Sequence, residues 1–591
     1  MVKRKASEQL SNINTLKRNL NKVSLSRLGA FLFEVLLVAL LIIYGYHLVF
    51  LLLMIVPIVA FIILIKKQVK LEKELSYAKQ LLWVYENEVQ VIENRKNGYE
   101  DGARYEDENH PYVSDLDIFG PGSLYALINR CSSREGMDQL ARQLNTAGSP
   151  DQIVSRQQAI QELGNYIDES YHFRAALKGH SAEQLALIKE KLTAQLPEEL
   201  RFTHNSFLRA YTSIAPFLSV GTFLLGLYMG GWTWDLFIGV AFFNFAYTIF
   251  HGKAVKTVHE GFSGSAAVLS SYADVIKWTE DIKWNSQYIL ALFKTDHPET
   301  KGSQQIKQLA GIIQSFDARL NMIVGAVLNL ILVWDLRCSV RLDQWHQQAS
   351  NDLVHRLTRI GDFEELISFA TLMHHHPQWC FPSILREFGF STRTMGHPLI
   401  PEAQRVPNDF ELSSRPTVDI VTGSNMAGKS TFLRTVGINM VLAFAGAPVC
   451  AEQFETSIFS LVTYMRIKDS LNDQTSTFKA ELNRLKMILG MVASVPDAFV
   501  LIDEMLRGTN SKDKYQGSQA FIERLIAQDI SALFATHDLQ LSEMIATYPD
   551  KLRNYHFDIQ LTEGEMNFDY KLKAGACRTF NAAILLKQIG L

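Results

Sequence analysis

The chain has 591 residues, with 58 lysines and arginines against 61 aspartates and glutamates, and a formal net charge of −3. This length allows several domains with their own cores, and the charge excludes a polycation that binds nucleic acid with its whole surface. The five cysteines are scattered without paired spacing, which excludes a disulfide framework or a structural zinc site and indicates a reducing compartment.

The first 70 residues predict a membrane hairpin. Residues 1–27 are polar and basic, and residues 28–65 are almost free of charge, with Glu34 as the exception. One span needs about 20 apolar residues, so this run is long enough for two, at about 28–44 and 46–65. Basic residues on both flanks keep both ends in the cytoplasm. A hairpin buried in a protein core is the alternative, but few soluble helices are apolar on every face.

Residues 71–112 predict a charged cytoplasmic helix followed by a polar linker. Residues 113–395 then predict a domain of amphipathic helices with Gly and Pro between them. Three consecutive histidines at 374–376 resemble a metal cluster. Consecutive residues of a helix cannot face one ion, however, so a polar turn before Pro377 is favoured.

A second membrane hairpin is predicted inside the helical domain, at about 207–250. Its two apolar runs cover about 210–228 and 234–250, and tryptophans lie at the turn between them, as is typical of a membrane interface. A large buried helical pair is the alternative. The apolar run at 321–334 is too short to span a bilayer, and we expect it in the core of the helical domain.

The last predicted domain, residues 396–591, begins with the strongest motif in the chain. Residues 421–431 read Val-Thr-Gly-Ser-Asn-Met-Ala-Gly-Lys-Ser-Thr, between a short apolar strand and a helical pattern. Gly423, four intervening residues and then Gly428-Lys429-Ser430 form the spacing of a phosphate-binding loop. Glycines let backbone N–H groups turn toward a polyphosphate, and the next helix directs its positive end there. Lys429 is predicted to reach the β- and γ-phosphates, and Ser430 to ligate Mg²⁺.

Three further segments supply candidate site residues. An apolar strand at 498–502 is followed by Asp503, a candidate Mg²⁺ ligand, and Glu504, a candidate to activate the attacking water. Another strand ends before His537, a candidate γ-phosphate sensor. Ser476 opens a helical pattern. Taken singly, these residues also fit a solvated strand end, a structural histidine and a helix cap.

Four segments together resemble the MutS family of ATPases: Gly-Ser-Asn-Met-Ala-Gly-Lys-Ser-Thr at 423–431, Ser-Thr-Phe-Lys-Ala-Glu at 476–481, Asp-Glu-Met-Leu-Arg-Gly-Thr at 503–509 and Ala-Thr-His at 535–537. The resemblance implies ATP and Mg²⁺ at the interface of a homodimer, where the serine matching Ser476 reaches the nucleotide of the partner subunit. It implies Glu504 and His537 as catalytic residues, and Ser430 and Asp503 as metal ligands. The nucleotide-binding residues that it implies are Gly423, Ser424, Asn425, Met426, Ala427, Gly428, Lys429, Ser430 and Thr431.

The chain departs from the family in places. Ser424 and Ala427 stand where Pro and Gly are usual, and Leu506 where Gly is usual. The run before Ser476 lacks the usual glycine, which affects the contact between subunits more than phosphate binding. Beyond the ATPase domain, the resemblance covers about 114–163 and resumes at 360. The second hairpin lies between these parts, roughly where the family's DNA clamp lies. Nothing resembles the mismatch-reading domain, so we expect it to be missing.

The expected fold is an α-helical lever domain with transmembrane hairpins, followed by an α/β phosphate-loop ATPase domain of the ABC type. The expected function is that of a membrane-anchored MutS-like ATPase, in which binding and hydrolysis of Mg-ATP move the lever. The protein would be a multi-pass protein of the cytoplasmic membrane with its ATPase domain in the cytoplasm. Two alternatives remain: a membrane-tethered repair protein that binds mismatched or structured DNA, with DNA as a partner by resemblance, and an ABC-type transporter.

Overall fold

The structure is a computed structural model that describes residues 1–45, 48–180, 182–294, 301–412, 415–424, 427–465, 477–495, 497–506, 509–562 and 565–577. The chain begins with a pair of long helices. A helical domain follows, and a mixed α/β region forms the C-terminal part.

Helices α1 (Val2–Tyr44) and α2 (Leu48–Asn94) form the first pair. α1 ends at Gly45, whose φ of 81° is in the left-handed region that glycine tolerates. Both helices continue well beyond the apolar run, so the predicted boundary at residue 70 lies inside α2. Their polar halves also pack together, because Ile13 lies in a small buried cluster with Leu75 and Ala78. We call these polar halves, residues 2–27 and 66–94, the stalk.

The stalk is fastened to the helical domain by a buried charged cluster around Glu88. The Glu88 carboxylate accepts hydrogen bonds from Arg130 Nε and from Arg174 Nη1, each at 2.7 Å, and His375 Nε2 lies 3.2 Å away. Burial alone would raise the pKa of Glu88, but the two guanidinium groups outweigh it and hold that pKa well below its usual range. Burial lowers the pKa of His375 to about 3, so this imidazole is neutral. Among the described residues, no group of three or more His, Cys, Asp or Glu side chains could hold a metal.

The predicted linker packs on the helical domain. Asn97 Nδ2 donates to Ala126 O at 2.7 Å and to Asn129 O at 2.8 Å. The helical domain begins with short helices that start at side-chain caps, such as the Ser149–Gln152 capping box. Its helices are α3 (Leu124–Ile128), α4 (Arg134–Asn145), α5 (Pro150–Gly164), α6 (Ile167–Leu177), α7 (Ala182–Glu190), α8 (Leu196–Glu199), α9 (Ser206–Met229), α10 (Thr233–Phe250), α11 (Gly252–Glu260), α12 (Ser265–Asp281), α13 (Gln287–Leu292), α14 (Gly302–Phe316), α15 (Met322–Leu332) and α16 (Trp334–His375).

Helices α9 and α10 form the second hairpin, and α15 packs beside them. Asn244 of α10 is fully buried where the three helices meet. Its Nδ2 donates to Ser219 Oγ of α9 at 3.0 Å and to Leu330 O of α15 at 2.8 Å. The expectation that residues 321–334 lie in the domain core is wrong, because the other face of α15 is open and Met322 is 85% exposed.

Three helices are long and apolar enough to cross a membrane, judged by length and composition in the described residues: α1, α9 and α10. Only 6% of the most apolar 18-residue window of α1 is buried, against 28% for α9 and 22% for α10. The segments Gly302–Leu320 and Met322–Leu332 pass the same test together but are bent by 111°.

The α/β region contains two sheets. Five parallel strands and one antiparallel edge strand form the larger sheet, in the order β10-β9-β4-β8-β7-β6, and the smaller has the order β1-β5-β2-β3. The strands are β1 (Ser383–Ile384), β2 (Phe390–Met395), β3 (Asn408–Glu411), β4 (Val418–Thr422), β5 (Gln453–Thr456), β6 (Ser460–Tyr464), β7 (Ala498–Asp503), β8 (Ser531–Thr536), β9 (Leu552–Thr562) and β10 (Glu565–Ala574). The helices are α17 (Lys429–Phe444), α18 (Thr477–Ser494) and α19 (Ser511–Ala527).

The helical domain and the α/β region share one hydrophobic core. A Cβ on Gly437 of α17 would lie 2.8 Å from the side chain of Leu116 and 3.0 Å from that of Leu501, so three segments meet there without space for a side chain. Strands β1 and β2 precede residue 396, where the ATPase domain was predicted to begin, and they pair with strands that follow it. The small sheet therefore joins the two predicted domains.

Candidate functional site

Three neighbouring parallel strands bring the candidate site residues to one edge of the larger sheet. Thr422 of β4 pairs with Thr536 of β8, and Asp503 of β7 pairs with Ala535 of β8. The three strands are fully buried, as expected for parallel strands covered on both faces. Because the carboxyl ends of parallel strands share one edge, the glycine loop, the acidic pair and His537 follow directly from adjacent strand ends.

The glycine loop connects β4 to α17 and depends on backbone that only glycine adopts without strain. Gly423 has a φ of 141°, and a Cβ there would lie 2.8 Å from Phe557 O. Gly428 has a φ of 106° and immediately precedes the first helical residue, Lys429. Asn425 and Met426 lie outside the described residues. In the described part of the loop, the first turn of α17 forms the kind of helix end that binds anions.

The Lys429 side chain lies inside the loop. It is only 2% exposed, and its Nζ donates to Gly423 O at 2.6 Å and to Ser424 O at 2.8 Å. Ser430 is half-buried at the second residue of α17, whereas Thr431 is exposed and Ala427 is buried. A lysine held by carbonyl oxygens keeps its three N–H donors close to the loop, where a phosphate oxygen can replace a carbonyl as acceptor.

The acidic pair ends β7. Asp503 is buried as the last residue of the strand, and Glu504 follows with a φ of 56°. The Glu504 N–H donates to Ala535 O at 3.0 Å, and its Oε1 lies 3.2 Å from His537 Nδ1. Lys514 Nζ lies 3.5 Å from the other imidazole nitrogen. Glu504 is thus a left-handed non-glycine residue that is itself a candidate catalytic group, and such local strain concentrates at functional sites.

The conformation of Leu506 shows how a leucine fits where the MutS pattern usually has glycine. Its φ is 56°, in the left-handed region, and its side chain is buried against Gly517. A glycine adopts this conformation freely, whereas leucine is strained there and gains the burial of its side chain instead. The loop conformation is therefore compatible with both residues.

The sequence analysis missed Tyr570. A bulge in β10 between Phe568 and Leu572 places Tyr570 at a φ of 51°, and its ring lies over the loop, 3.1 Å from where a Cβ of Gly428 would be. Asn408 holds the bulge, since its Nδ2 donates to Tyr570 O at 3.0 Å. No local signal in the sequence points to this residue, because an isolated aromatic in a strand is usually a packing residue.

Ser476, predicted to act across a dimer interface, lies outside the described residues, as does the segment before it. The helix that follows begins at Thr477, as the sequence predicted within a residue. The predicted end of the ATPase domain, from residue 578 onward, also lies outside the described residues.

A helical domain followed by a mixed α/β region is consistent with MutS-like domains, and the comparisons with known proteins point to the same family. Residues 419–584 match the family described as MutS domain V. The chain is similar to the DNA mismatch repair protein MutS of Natronomonas pharaonis, with 33% identity over 248 residues, which cover 41% of this chain and 28% of the relative. It is also similar to the protein of that name from Aquifex pyrophilus, with 27% identity over 336 residues, covering 56% of this chain and 37% of the relative.

These matches show a region similar to MutS domain V at residues 419–584 and similarity to MutS proteins over part of the chain. A third relative, MutS of Treponema pallidum, is 31% identical over 244 residues, which are 39% of this chain and 26% of that protein. The chain thus matches about a quarter to slightly more than a third of the length of these relatives.

Proposed function

We propose that the protein is a membrane-anchored MutS-like ATPase, in which binding and hydrolysis of Mg-ATP drive movement of the helical domain. The observation that carries this proposal is the pairing of β4, β8 and β7, whose carboxyl ends present the glycine loop, Asp503-Glu504 and His537 at one sheet edge. The α/β region also matches MutS domain V, a family whose members are ATPases.

In this proposal the loop N–H groups and Lys429 bind the phosphates. Ser430 and Asp503 hold Mg²⁺, and both supply oxygen atoms, the ligands that this cation prefers. Water and the nucleotide phosphates would supply the other oxygen ligands of the ion. Bound Mg²⁺ would neutralise charge that develops on the phosphates.

Glu504 is the proposed base that orients and deprotonates the attacking water. Its carboxylate oxygen at 3.2 Å from His537 Nδ1 gives it a partner that can hold its orientation. His537 is proposed to sense the γ-phosphate. Ser476 is proposed to contact the nucleotide of a second copy, so the working unit would be a homodimer.

The membrane part of the proposal rests on the exposed apolar helices. A soluble protein rarely exposes contiguous apolar surface of this extent. α9 and α10 present it over most of their length, and α1 presents it over residues 28–44. Basic residues follow the apolar run of α2 at positions 66, 67 and 70. This pattern supports a multi-pass protein of the cytoplasmic membrane with the α/β region in the cytoplasm.

The test of the nucleotide site uses the full chain in detergent. Lys429→Ala should abolish ATP binding, because it removes the ammonium group that lies inside the glycine loop. Lys512→Ala is the control, since Lys512 is exposed on α19, and this variant should bind ATP normally. Unchanged ATP affinity in Lys429→Ala would contradict the site. The test of the membrane part is extraction: the protein should stay with the membrane fraction in high salt and carbonate, and recovery in the soluble fraction would contradict it.

A second candidate function is a membrane-tethered repair protein that binds mismatched or structured DNA. It is favoured by the similarity to DNA mismatch repair proteins. A gel shift with duplex, mismatched and branched DNA tests it, and genuine phosphate contacts should weaken steeply as salt is raised. Absence of any shift at low salt would exclude it. An ABC-type transporter, the third hypothesis, has no observation that favours it, and nucleotide-driven flux in vesicles would be needed to support it.

A further inference from the structure

Helix α17 begins at the glycine loop, and its other end contacts helix α5 and the segment before it. α17 has 16 residues and so is about 24 Å long. Carbonyl groups at its end are bound by α5 and by the segment before α5. Phe444 O accepts from Gly148 N at 3.2 Å, and Ala445 O accepts from Arg156 Nε of α5 at 2.9 Å. A cationic side chain at a helix C-terminus is favourable, because the helix dipole is negative there.

Arg156 binds three partners from three different segments. Besides Ala445 O, its Nη1 donates to Tyr288 OH at 3.2 Å, and its Nη2 donates to Glu365 Oε1 of α16. Arg156 and Glu365 are both buried. The planar guanidinium of Arg156 therefore joins the end of α17 to the body of α16 through two buried hydrogen bonds.

The end of α17 and helix α5 pack too closely to slide past each other. Gly446, directly after the α17 end, has a φ of 78°, and a Cβ there would lie 3.0 Å from Arg156 Cβ and 3.2 Å from Ile153 O. Backbone therefore packs against backbone at this point. A displacement of α17 along its axis must carry Arg156 with it or break its hydrogen bonds.

On the other side of Arg156, α16 runs without a break to the apolar hairpin. Glu365 lies about 46 Å along this helix from its first residue, Trp334. Only Val333, buried at a φ of 47°, separates α16 from α15, and α15 packs on α9 and α10. One continuous helix therefore connects the Arg156 contact to the helices with exposed apolar surface.

We infer that Arg156 is a positioning residue that couples the nucleotide site to the apolar hairpin, by joining the far end of α17 to α16. This inference rests on the proposed ATP binding at the start of α17. A nucleotide that shifts α17 would pull on the Ala445 carbonyl, and the guanidinium would transmit the displacement to Glu365. The membrane end of α16 would then respond to nucleotide although it lies far from the site. Such coupling between distant sites typically corresponds to about 5–150-fold in affinity or equilibrium.

The experiment compares the full-length protein in lipid nanodiscs with and without Mg²⁺ and a non-hydrolysable ATP analogue. Hydrogen exchange is followed in peptides from residues 334–345, the membrane end of α16, and analogue affinity is measured on the same samples. Arg156→Lys keeps the charge but cannot satisfy Ala445 O, Tyr288 and Glu365 with one planar fork. Arg142→Lys is the matched control, since Arg142 is exposed on α4, a helix that also contacts both α16 and α17.

In the unchanged protein and in Arg142→Lys, the analogue should alter exchange at 334–345. In Arg156→Lys, analogue affinity should stay within about tenfold, the effect of roughly one lost hydrogen bond, while the nucleotide-dependent change at 334–345 is lost. A purely structural role would change exchange in the nucleotide-free protein too, and would leave the nucleotide-dependent difference in place. Glu365→Gln, which keeps the side-chain shape, should show the same loss and serves if Arg156→Lys does not fold.

Two results would overturn the inference while leaving ATP binding intact. One is a nucleotide-dependent change in Arg156→Lys equal to that of the unchanged protein. The other is an unchanged protein that binds the analogue but shows no change at 334–345. Failure of the unchanged protein to bind the analogue would overturn the proposed function, and this coupling with it.

Discussion

Replacing Glu504 by glutamine tests the proposed chemistry most directly. The change keeps the size of the side chain and the backbone hydrogen bond from the Glu504 N–H to Ala535 O, and removes only the carboxylate charge. His537 Nδ1, 3.2 Å from Glu504 Oε1, retains an oxygen or nitrogen partner at the same place. Lys429 and Asp503 are untouched, so the phosphate and Mg²⁺ groups of the site are preserved. The variant should therefore bind ATP and fail at the step that needs a base.

The expected size of the effect follows from the role assigned to the carboxylate. A positioned general base contributes about 10²–10⁴-fold to the rate. This corresponds to about 2.7–5.4 kcal/mol in the activation free energy. ATP affinity should be unchanged or higher, because one negative charge near the triphosphate is removed. The prediction is thus a fall in kcat of at least about 100-fold without a matching loss of binding.

The assay measures single-turnover hydrolysis and the affinity for a fluorescent ATP analogue in the same detergent-solubilised preparation. Glu543→Gln is the control, because Glu543 is an exposed acid in the short helix Leu539–Ala546 that follows His537. It should hydrolyse ATP at the unchanged rate. Normal turnover in Glu504→Gln would refute the reasoning, and so would a fall in turnover that is fully explained by lost ATP binding.

Three further predictions follow from contacts and backbone angles that only the structure shows. The first tests whether the Tyr570 ring, which lies over Gly428, stacks on the base of a bound nucleotide. Tyr570→Ala should then weaken ATP binding by about 5–150-fold, the range for loss of one base-stacking contact, with inorganic triphosphate affinity unchanged and Tyr570→Phe normal. Equal losses for both ligands would contradict a base contact. Leu506→Gly relieves about 1–2 kcal/mol of backbone strain but loses a buried side chain worth about 2–5 kcal/mol, so thermal melting should show a less stable protein, and a higher melting temperature would contradict this. His376 stacks on Trp379 with ring centroids 4.2 Å apart, and burial, then Arg405 and Arg95, lower its pKa to about 4. His376 becomes protonated near pH 6.5 in the unfolded chain but only near pH 4 in the folded chain. The free energy of unfolding should therefore fall as pH drops from about 6.5 toward 4, by at most about 3 kcal/mol for this residue. His376→Phe keeps the stacking and should reduce that loss in denaturation at pH 7 and pH 5; an identical pH dependence would show that His376 does not carry it.

Some features of this chain follow from neighbouring residues alone. The apolar runs at 28–65 and 210–250 predict long helices without knowledge of any partner, because a helix satisfies its own backbone hydrogen bonds. The glycine spacing at 423–428 also predicts a tight loop between a strand and a helix. The reason is again local, because the dihedral angles that the loop needs are readily available only to glycine. The strands before Asp503 and His537 are also local, and they form at the predicted places within one residue.

Other features depend on packing between distant segments. Residues 321–334 were expected in the domain core from their apolar composition. Composition cannot distinguish a helix buried in protein from one in lipid, and α15 in fact lies against α9 and α10. The predicted boundaries at residues 70 and 396 fall where the composition changes, but helix α2 and the smaller sheet cross them.

The sequence by itself determined which segments become helix, strand and glycine loop, since those preferences reside in each segment. The tertiary structure alone decided that Tyr570 lies over Gly428, and that Arg156 joins Glu365, 209 residues away, to the end of α17. The physical reason is that such contacts depend on how whole elements pack. The partner of a single aromatic residue or arginine cannot be predicted from its place in the sequence, because packing between distant elements decides it.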